Sequence, residues 1–349
     1  MLEFIQALQR LIPKEMTILE RRYQILRGVQ LFSPIGRRGL SEKLGISEKI
    51  IRNEVAFLTN ETLINKSIMG VELTETGHKL IEELKFFMKQ IDGLNSMETR
   101  IKEILGCPEV IIVSGDLDVN EDTKSKIGKS ASEVLLKYMT NNMVVALAGG
   151  RTVSYMVNEL RDIDLSDKEL MIVPARGSLG HEMIHQANSL VARLAGKLKA
   201  TYTLLNIPDN LSEKALTSVR EEPEIHDAID LLINANILVF GIGTCDTMIE
   251  RRNLEGNIRM LLEDKKAVAE ALGNYFNIEG DIVYTSRSIG ISIDEMQHLE
   301  HPIAIAGGTS KGEAIYGVRK FLTKASLVID EGAAKKIMLC HLEQMDREE

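Results

Sequence analysis

The chain has 349 residues, 44% of them apolar and 27% charged, the composition of a folded globular protein long enough for two domains. No apolar run nears the roughly 18 residues of a membrane span. Acids inside MLEFIQALQRLIPKE argue against a secretion signal. Aromatics are 4% of the chain with no tryptophan, which argues against a base-stacking RNA surface.

Charge separates the two ends. The net charge is −9, yet residues 1–92 carry 14 Lys and Arg against 12 Asp and Glu, so only this part is compatible with nucleic acid. Cys107, Cys245 and Cys340 lie far apart with no C-x-x-C pair. They read as inert thiols of a reducing cytosol, so the expected location is the cytoplasm.

Apolar spacing predicts a helix over 19–30. Then PIGRRGLSEKLGISEKIIRNEVAFLTN predicts a short helix from Arg37 to Leu44, closed by Gly45. Ser47 is an expected N-cap for a second helix from about Glu48 to Asn60. Two short helices joined through a glycine are a helix-turn-helix pattern. Ile51, Val55 and Leu58 should face its core. Lys49, Arg52, Asn53 and Ala56 fall on another side, and Arg and Asn are the side chains that read guanine and adenine edges. Arg37 and Arg38 sit where backbone phosphates would pass. LINKSIMGVELT reads as a hairpin turning at Met69–Gly70, which completes a winged helix. The same helix faces would also suit a plain solvated domain.

The predicted N-terminal domain is 1–74. Residues 75–107 read as a connecting helix with a stripe of Leu80, Leu84, Phe87, Ile91, Leu94, Ile101 and Leu105, interrupted near Gly93, with Glu98 at the missed step. Such a stripe suits self-association or packing on its own domain. Residues 108–349 alternate short apolar strands with helices. EVIIVSG, MVVALAGG, LMIVPARG, TYTLLNIP, NILVFGIG, DIVYTS, HPIAIAGG and SLVIDEG are the expected strands. The expected fold class is α/β: a winged helix followed by a mainly parallel sheet covered on both faces.

Ligands of such sheets bind at the carboxyl ends of strands. Four ends carry small or cationic residues: Ala148–Thr152, Pro174–Ser178, Gly241–Thr244 and Gly307–Lys311. Glycine admits close approach, helix N-terminal amides attract anions, and Arg176 and Lys311 add charge. One such end is weak evidence; four on one sheet point to an anionic small molecule. No G-x-x-x-x-G-K-[ST] occurs, and G-I-G at 241–243 lacks the third glycine of a dinucleotide fingerprint. A sugar-phosphate isomerase or deaminase carrying a regulatory helix-turn-helix is the alternative. It would need a carboxylate base, for which Asp246, Glu270, Asp330 and Glu331 are candidates. His181 and His185 alone have helical metal-ligand spacing, supported only by Glu182, so no metal is expected.

RRGLSEKLGISEKIIRNEVAFL, VPARGSLG with HQAN, AVAEALGNYF, IAIAGGTSKGEAI and LVIDEGAAKKIM together resemble the SorC-type sugar-sensing bacterial repressors over nearly the whole chain. The resemblance implies an effector domain related to glucosamine-6-phosphate deaminase and ribose-5-phosphate isomerase folds, with neither catalysis nor cofactor. It also implies repression of glycolytic genes by a homo-oligomer, a dimer or a tetramer on operator DNA. The implied effector is fructose-1,6-bisphosphate or a related sugar phosphate. By motif, Gly149, Gly150 and Thr152 would hold one phosphate. Gly308, Thr309, Ser310 and Lys311 would hold the other. Arg176 with Gly177, Gln186 and Arg251 would contact the ligand, and Glu270 would accept from sugar hydroxyls. The family pattern often has two hydroxyl residues after Gly-Gly, and the first is Arg151 here. The residues leave open whether its guanidinium joins the site or turns away.

Overall fold

The structure is a computed structural model that describes residues 8, 11–91, 93–177, 183–208, 213–286, 289–296 and 298–348. The chain divides into two compact units, 1–96 and 97–349, a break that falls inside the expected connector.

The first unit runs α1 (Pro13–Phe32), α2 (Arg37–Leu44), α3 (Glu48–Asn60), β1 (Ile64–Ser67), β2 (Gly70–Leu73) and α4 (Glu75–Ile91). Gly45 closes α2 in the left-handed region, at φ 64°. Ser47 stands at the N-cap of α3, but its exposed hydroxyl makes no capping bond; its carbonyl accepts from Ile51 N at 3.0 Å. Solvent can serve the amides of such an exposed first turn. Ile51, Val55 and Leu58 are buried with Ile25, Val29, Leu40, Ile64, Val71 and Ile81. The β1–β2 hairpin pairs Ser67 with Gly70, so Ile68 and Met69 form the exposed turn, one residue earlier than expected. Gly70 has φ 142°, and a Cβ there would stand 2.6 Å from the Ile35 carbonyl carbon. The connector breaks at Gly93, with φ 70°.

Helix α5 (Leu94–Leu105) leads into β3 (Glu109–Val113), α6 (Thr123–Tyr138), β4 (Val144–Leu147), α7 (Arg151–Glu159), β5 (Met171–Pro174), α8 (Ala187–Leu198) and β6 (Thr201–Tyr202). Leu94, Ile101 and Leu105 are buried within the chain, Leu80, Leu84 and Phe87 are half-buried, and the side chain of Ile91 is outside those described. Glu98, the residue breaking the stripe, accepts from Ile112 N at 2.8 Å. The chain continues as α9 (Glu213–Arg220), α10 (Pro223–Ile233), β7 (Ile237–Gly241), β8 (Gly243–Thr244), α11 (Cys245–Arg252), α12 (Gly256–Asp264), β9 (Ala267–Ala271), β10 (Asn274–Asn277) and β11 (Ile282–Thr285). Helix α13 (Ile293–Met296), β12 (His301–Ile305), α14 (Gly312–Gly317), β13 (Ser326–Asp330) and α15 (Glu331–Glu348) complete it.

Seven strands form a parallel sheet in the order β3-β13-β12-β7-β4-β5-β6. Ile112, Val145, Leu147, Ile172, Val239, Ile305 and Val328 are buried, as strands covered on both faces require. DIVYTS is the exception among the eight expected strands. It is β11, the partly exposed edge of a separate antiparallel sheet ordered β11-β10-β9-β8. Its partners β9 and β10 were not anticipated. They turn at Leu272–Gly273, both at positive φ (49° and 84°), as a tight hairpin turn requires. Among the described residues, no helix is long and apolar enough to cross a membrane.

Candidate functional site

The four small-residue loops follow β12, β7, β4 and β5, which are scattered in the chain but adjacent in the sheet. From β4 the chain moves outward through β5 to β6, then returns on the other side of β4 as β7. That reversal opens a crevice at the strand ends. A cavity of about 820 Å³ lies there. Gly149, Gly150, Arg151, Thr152, Arg176, Gly177, Gln186, Arg251, Glu270, Ser310 and Lys311 line it, while Gly308 and Thr309 do not. Ser178, His181 and Glu182 fall outside the described residues.

Glycine shapes the β4 loop. A Cβ on Gly149 would lie 2.9 Å from the His185 carbonyl oxygen, and Gly150 has φ 141°. Gly150 N donates to His185 O at 2.8 Å, and the ladder of α7 opens with Ser154 N to Gly150 O at 3.0 Å. The amides of Arg151, Thr152 and Val153 precede that ladder and can serve an anion. The Thr152 hydroxyl is not an available donor, contrary to expectation. It donates to Ile305 O at 2.9 Å and ties the β4 loop to β12.

Arg151 faces the cavity, as do Arg251 and Lys311. Burial pushes the Lys311 ammonium down to about 8; Arg251 and Arg151 push the same way, and Asp118 and Asp330 oppose them. Among the described residues neither Arg151 nor Lys311 forms an ion pair. A cavity holding crowded cations favours an anion of more than one charge.

Behind them is a buried ionic cluster. Glu270 Oε1 accepts from Arg252 Nη2 at 2.8 Å and from Gly273 N at 2.5 Å, with Arg176 Nη1 at 3.7 Å. Ser286 Oγ accepts from Arg176 Nη2 at 3.2 Å and Arg252 Nη1 at 3.1 Å. Glu270 Oε1 is therefore committed to the protein; Oε2 has no hydrogen bond among the described residues. Arg252 and Ser286 were missed by sequence reasoning. The ERR run signalled two arginines, but which one turned inward depends on how α11 meets β9.

The loop after β12 departs most from expectation. Gly308 N donates to Asp330 Oδ2 at 2.8 Å, Thr309 N to Asp116 Oδ1 at 3.1 Å, and Ser310 N to Asp118 Oδ2 at 2.7 Å. The hydroxyls follow: Thr309 Oγ1 donates to Asp116 at 2.6 Å and Ser310 Oγ lies 3.1 Å from Asp118 Oδ1. Bare backbone is used here for anions, but the anions are carboxylates of the chain. Burial would raise the Asp116 carboxyl, but bonds from Thr309 and Asp118 hold it below its ordinary value.

The remaining acids have structural posts. Asp330 is fully buried and anchors Leu117, Gly308 and Ala333 amides; burial raises its carboxyl. Glu331 pairs with Lys335 at 2.6 Å, and Asp246 is exposed in the first turn of α11. Cys107, Cys245 and Cys340 are buried free thiols, with burial pushing Cys107 up to about 12. No group of three His, Cys, Asp or Glu able to hold a metal occurs among the described residues. In the first unit Arg37, Arg38, Ser47, Lys49, Arg52 and Asn53 are all exposed. Glu54 turns inward from α3 to accept from Arg21 at 2.5 Å and Arg22 at 2.8 Å.

Residues 18–88 match the family model described as "CggR N-terminal DNA binding domain", and residues 89–339 match that described as "Putative sugar-binding domain". A solved SorC-family transcriptional regulator from Enterococcus faecalis superposes with TM-score 0.66 at 31% identity, over 70% of this chain and 99% of that one. The chain belongs to the SorC family of transcriptional regulators. The central glycolytic genes regulator of Bacillus subtilis (strain 168) is 40% identical over 336 residues, 96% of this chain and 98% of that protein. The full-length sorbitol operon regulator SorC of Klebsiella pneumoniae shares the fold at TM-score 0.64 and 17% identity, over 91% of this chain and 97% of that one. As a SorC-family member, the chain is a DNA-binding, sugar-binding regulator and not an enzyme, which sets the isomerase alternative aside.

Proposed function

We propose that this regulator represses central glycolytic genes and that a phosphorylated sugar, fructose-1,6-bisphosphate above its relatives, modulates its grip on operator DNA. The observation that carries the reading is the convergence of Arg151, Arg251 and Lys311 on one cavity, beside the leading amides of α7. A bisphosphate presents two dianions, and clustered cations beside open amides suit it better than a neutral sugar. The likeness to a regulator of central glycolytic genes supports the choice of target. The exposed Arg52 and Asn53 of α3 enter the major groove, with Arg37 and Arg38 on the backbone. A homo-oligomer, at least a dimer, in the cytoplasm places two such helices on one operator. The effector acts by binding one conformational state better than the DNA-competent one.

The test is calorimetric titration of the full chain with fructose-1,6-bisphosphate and the two monophosphates, paired with gel shifts on an operator-containing promoter fragment. Losing one phosphate should weaken binding by about tenfold or more, as expected for charge-assisted hydrogen bonds. Turnover of any sugar phosphate, or gel shifts indifferent to the bisphosphate, would count against the reading.

A further inference from the structure

Asp116 and Asp118, two residues apart in the loop between β3 and α6, both reach the loop after β12, but they do so differently. Asp116 lies outside the cavity, against Gly332, where a Cβ would collide with its carboxylate. Asp118 lines the cavity beside Ser310 and Lys311. Its two oxygens take the Ser310 amide, at 2.7 Å, and face the Ser310 hydroxyl at 3.1 Å. Gly308 makes room for it, since a Cβ at its φ of 97° would fall onto the Asp118 carboxylate. An amide, a hydroxyl and a nearby ammonium are the groups a phosphate would use.

We propose that Asp118 is an internal competitor for the anionic effector, so that a phosphate reaching Ser310 and Lys311 must displace this carboxylate and shift the β3–α6 loop. The proposal rests on the reading that a sugar phosphate occupies the cavity. A dianion and a carboxylate cannot share the donors of Ser310, because adjacent like charges repel at short range. Asp116 stays in place and hinges the loop, held by Thr309 through two hydrogen bonds. The effector's apparent affinity is then reduced by the fraction of molecules in which Asp118 sits on Ser310. Glu121, on the same rim, pairs with Lys124 at 2.9 Å and serves as the electrostatic control.

The experiment is titration of the full chain and of its Asp118→Asn and Glu121→Gln variants with fructose-1,6-bisphosphate, and hydrogen exchange of the β3–α6 loop in the unmodified protein with and without that sugar. Asp118→Asn should bind about tenfold more tightly, as removal of a dominant competing state predicts. Glu121→Gln should shift affinity by only about twofold, the scale of an exposed charge. Exchange at 117–122 should quicken when the sugar is added. If the unmodified protein binds the bisphosphate but Asp118→Asn binds no better, the competitor idea is wrong while the ligand assignment stands. Equal tightening by Glu121→Gln would also overturn it, as would slowed or unchanged exchange. Absence of binding by the unmodified chain and both variants removes the ligand assignment and the competitor together.

Discussion

Arg252 Nη2 lies 2.8 Å from Glu270 Oε1, with both side chains less than a tenth exposed, so the floor of the cavity is a buried ion pair. Such a pair contributes little net stability when whole, yet removing one partner leaves an uncompensated charge. Arg252→Ala should therefore lower the unfolding free energy by about 2–4 kcal/mol. Urea unfolding checks this, and a loss under 1 kcal/mol would mean that Arg176 suffices for Glu270.

Arg52→Ala should weaken binding to the specific operator by about 1–3 kcal/mol and leave the effector titration unchanged. Its exposure on α3, away from the buried Ile51 and Val55, is what separates the two effects. Competition gel shifts against random duplex measure it. Equal losses on both duplexes would reassign Arg52 to backbone contact.

Lys311 should make effector binding depend on pH. Its ammonium sits at about 8, lowered by burial first and by Arg251 and Arg151 next. Below that value it is already charged and ready for a phosphate. Above it, binding must take up a proton, so the bisphosphate dissociation constant should rise by up to about tenfold per pH unit between 8 and 10. Sugar phosphates have already lost their second proton there. Lys311→Arg should flatten the profile, because guanidinium stays charged. An equally steep profile in the arginine variant would move the titration elsewhere.

Glu54 should contribute to the acid stability of the first unit. Burial would raise its carboxyl, but the hydrogen bonds and charges of Arg22 and Arg21 hold it below the ordinary 4.5. A depressed carboxyl stabilises the fold above its unfolded pKa and loses that contribution as pH falls through the folded one. The loss should thus appear below about pH 4.5, and Glu54→Gln should abolish this part of the acid limb. At neutral pH the same substitution should cost about 1–2 kcal/mol, discounted because Arg21 and Arg22 are partly exposed. Chemical unfolding across pH 3–7 tests it, roughly spanning the usual carboxylate range.

Much of this molecule was legible from local pattern. Helices α2 and α3 stand at the expected bounds because Gly45 and the apolar repeat act within one or two turns. All eight expected segments form strands, and seven of them make the parallel sheet. Apart from β6, a two-residue exposed edge, these are largely buried, and a strand covered on both faces is apolar without interruption. DIVYTS carries the same residue types, yet it lies at the edge of another sheet, a fact of pairing that composition does not encode.

The residue order thus settled which segments form elements, where the cations and glycines stand, and which face of α3 stays in solvent, since these follow from backbone preference and short-range periodicity. The order of strands in the sheet lay beyond it, because parallel neighbours are joined by long crossovers and chosen by packing. That choice alone put β12, β7, β4 and β5 side by side and made four loops into one cavity. It also brought Asp118 to Ser310 across 192 residues, which turned a predicted phosphate seat into one already held by a carboxylate.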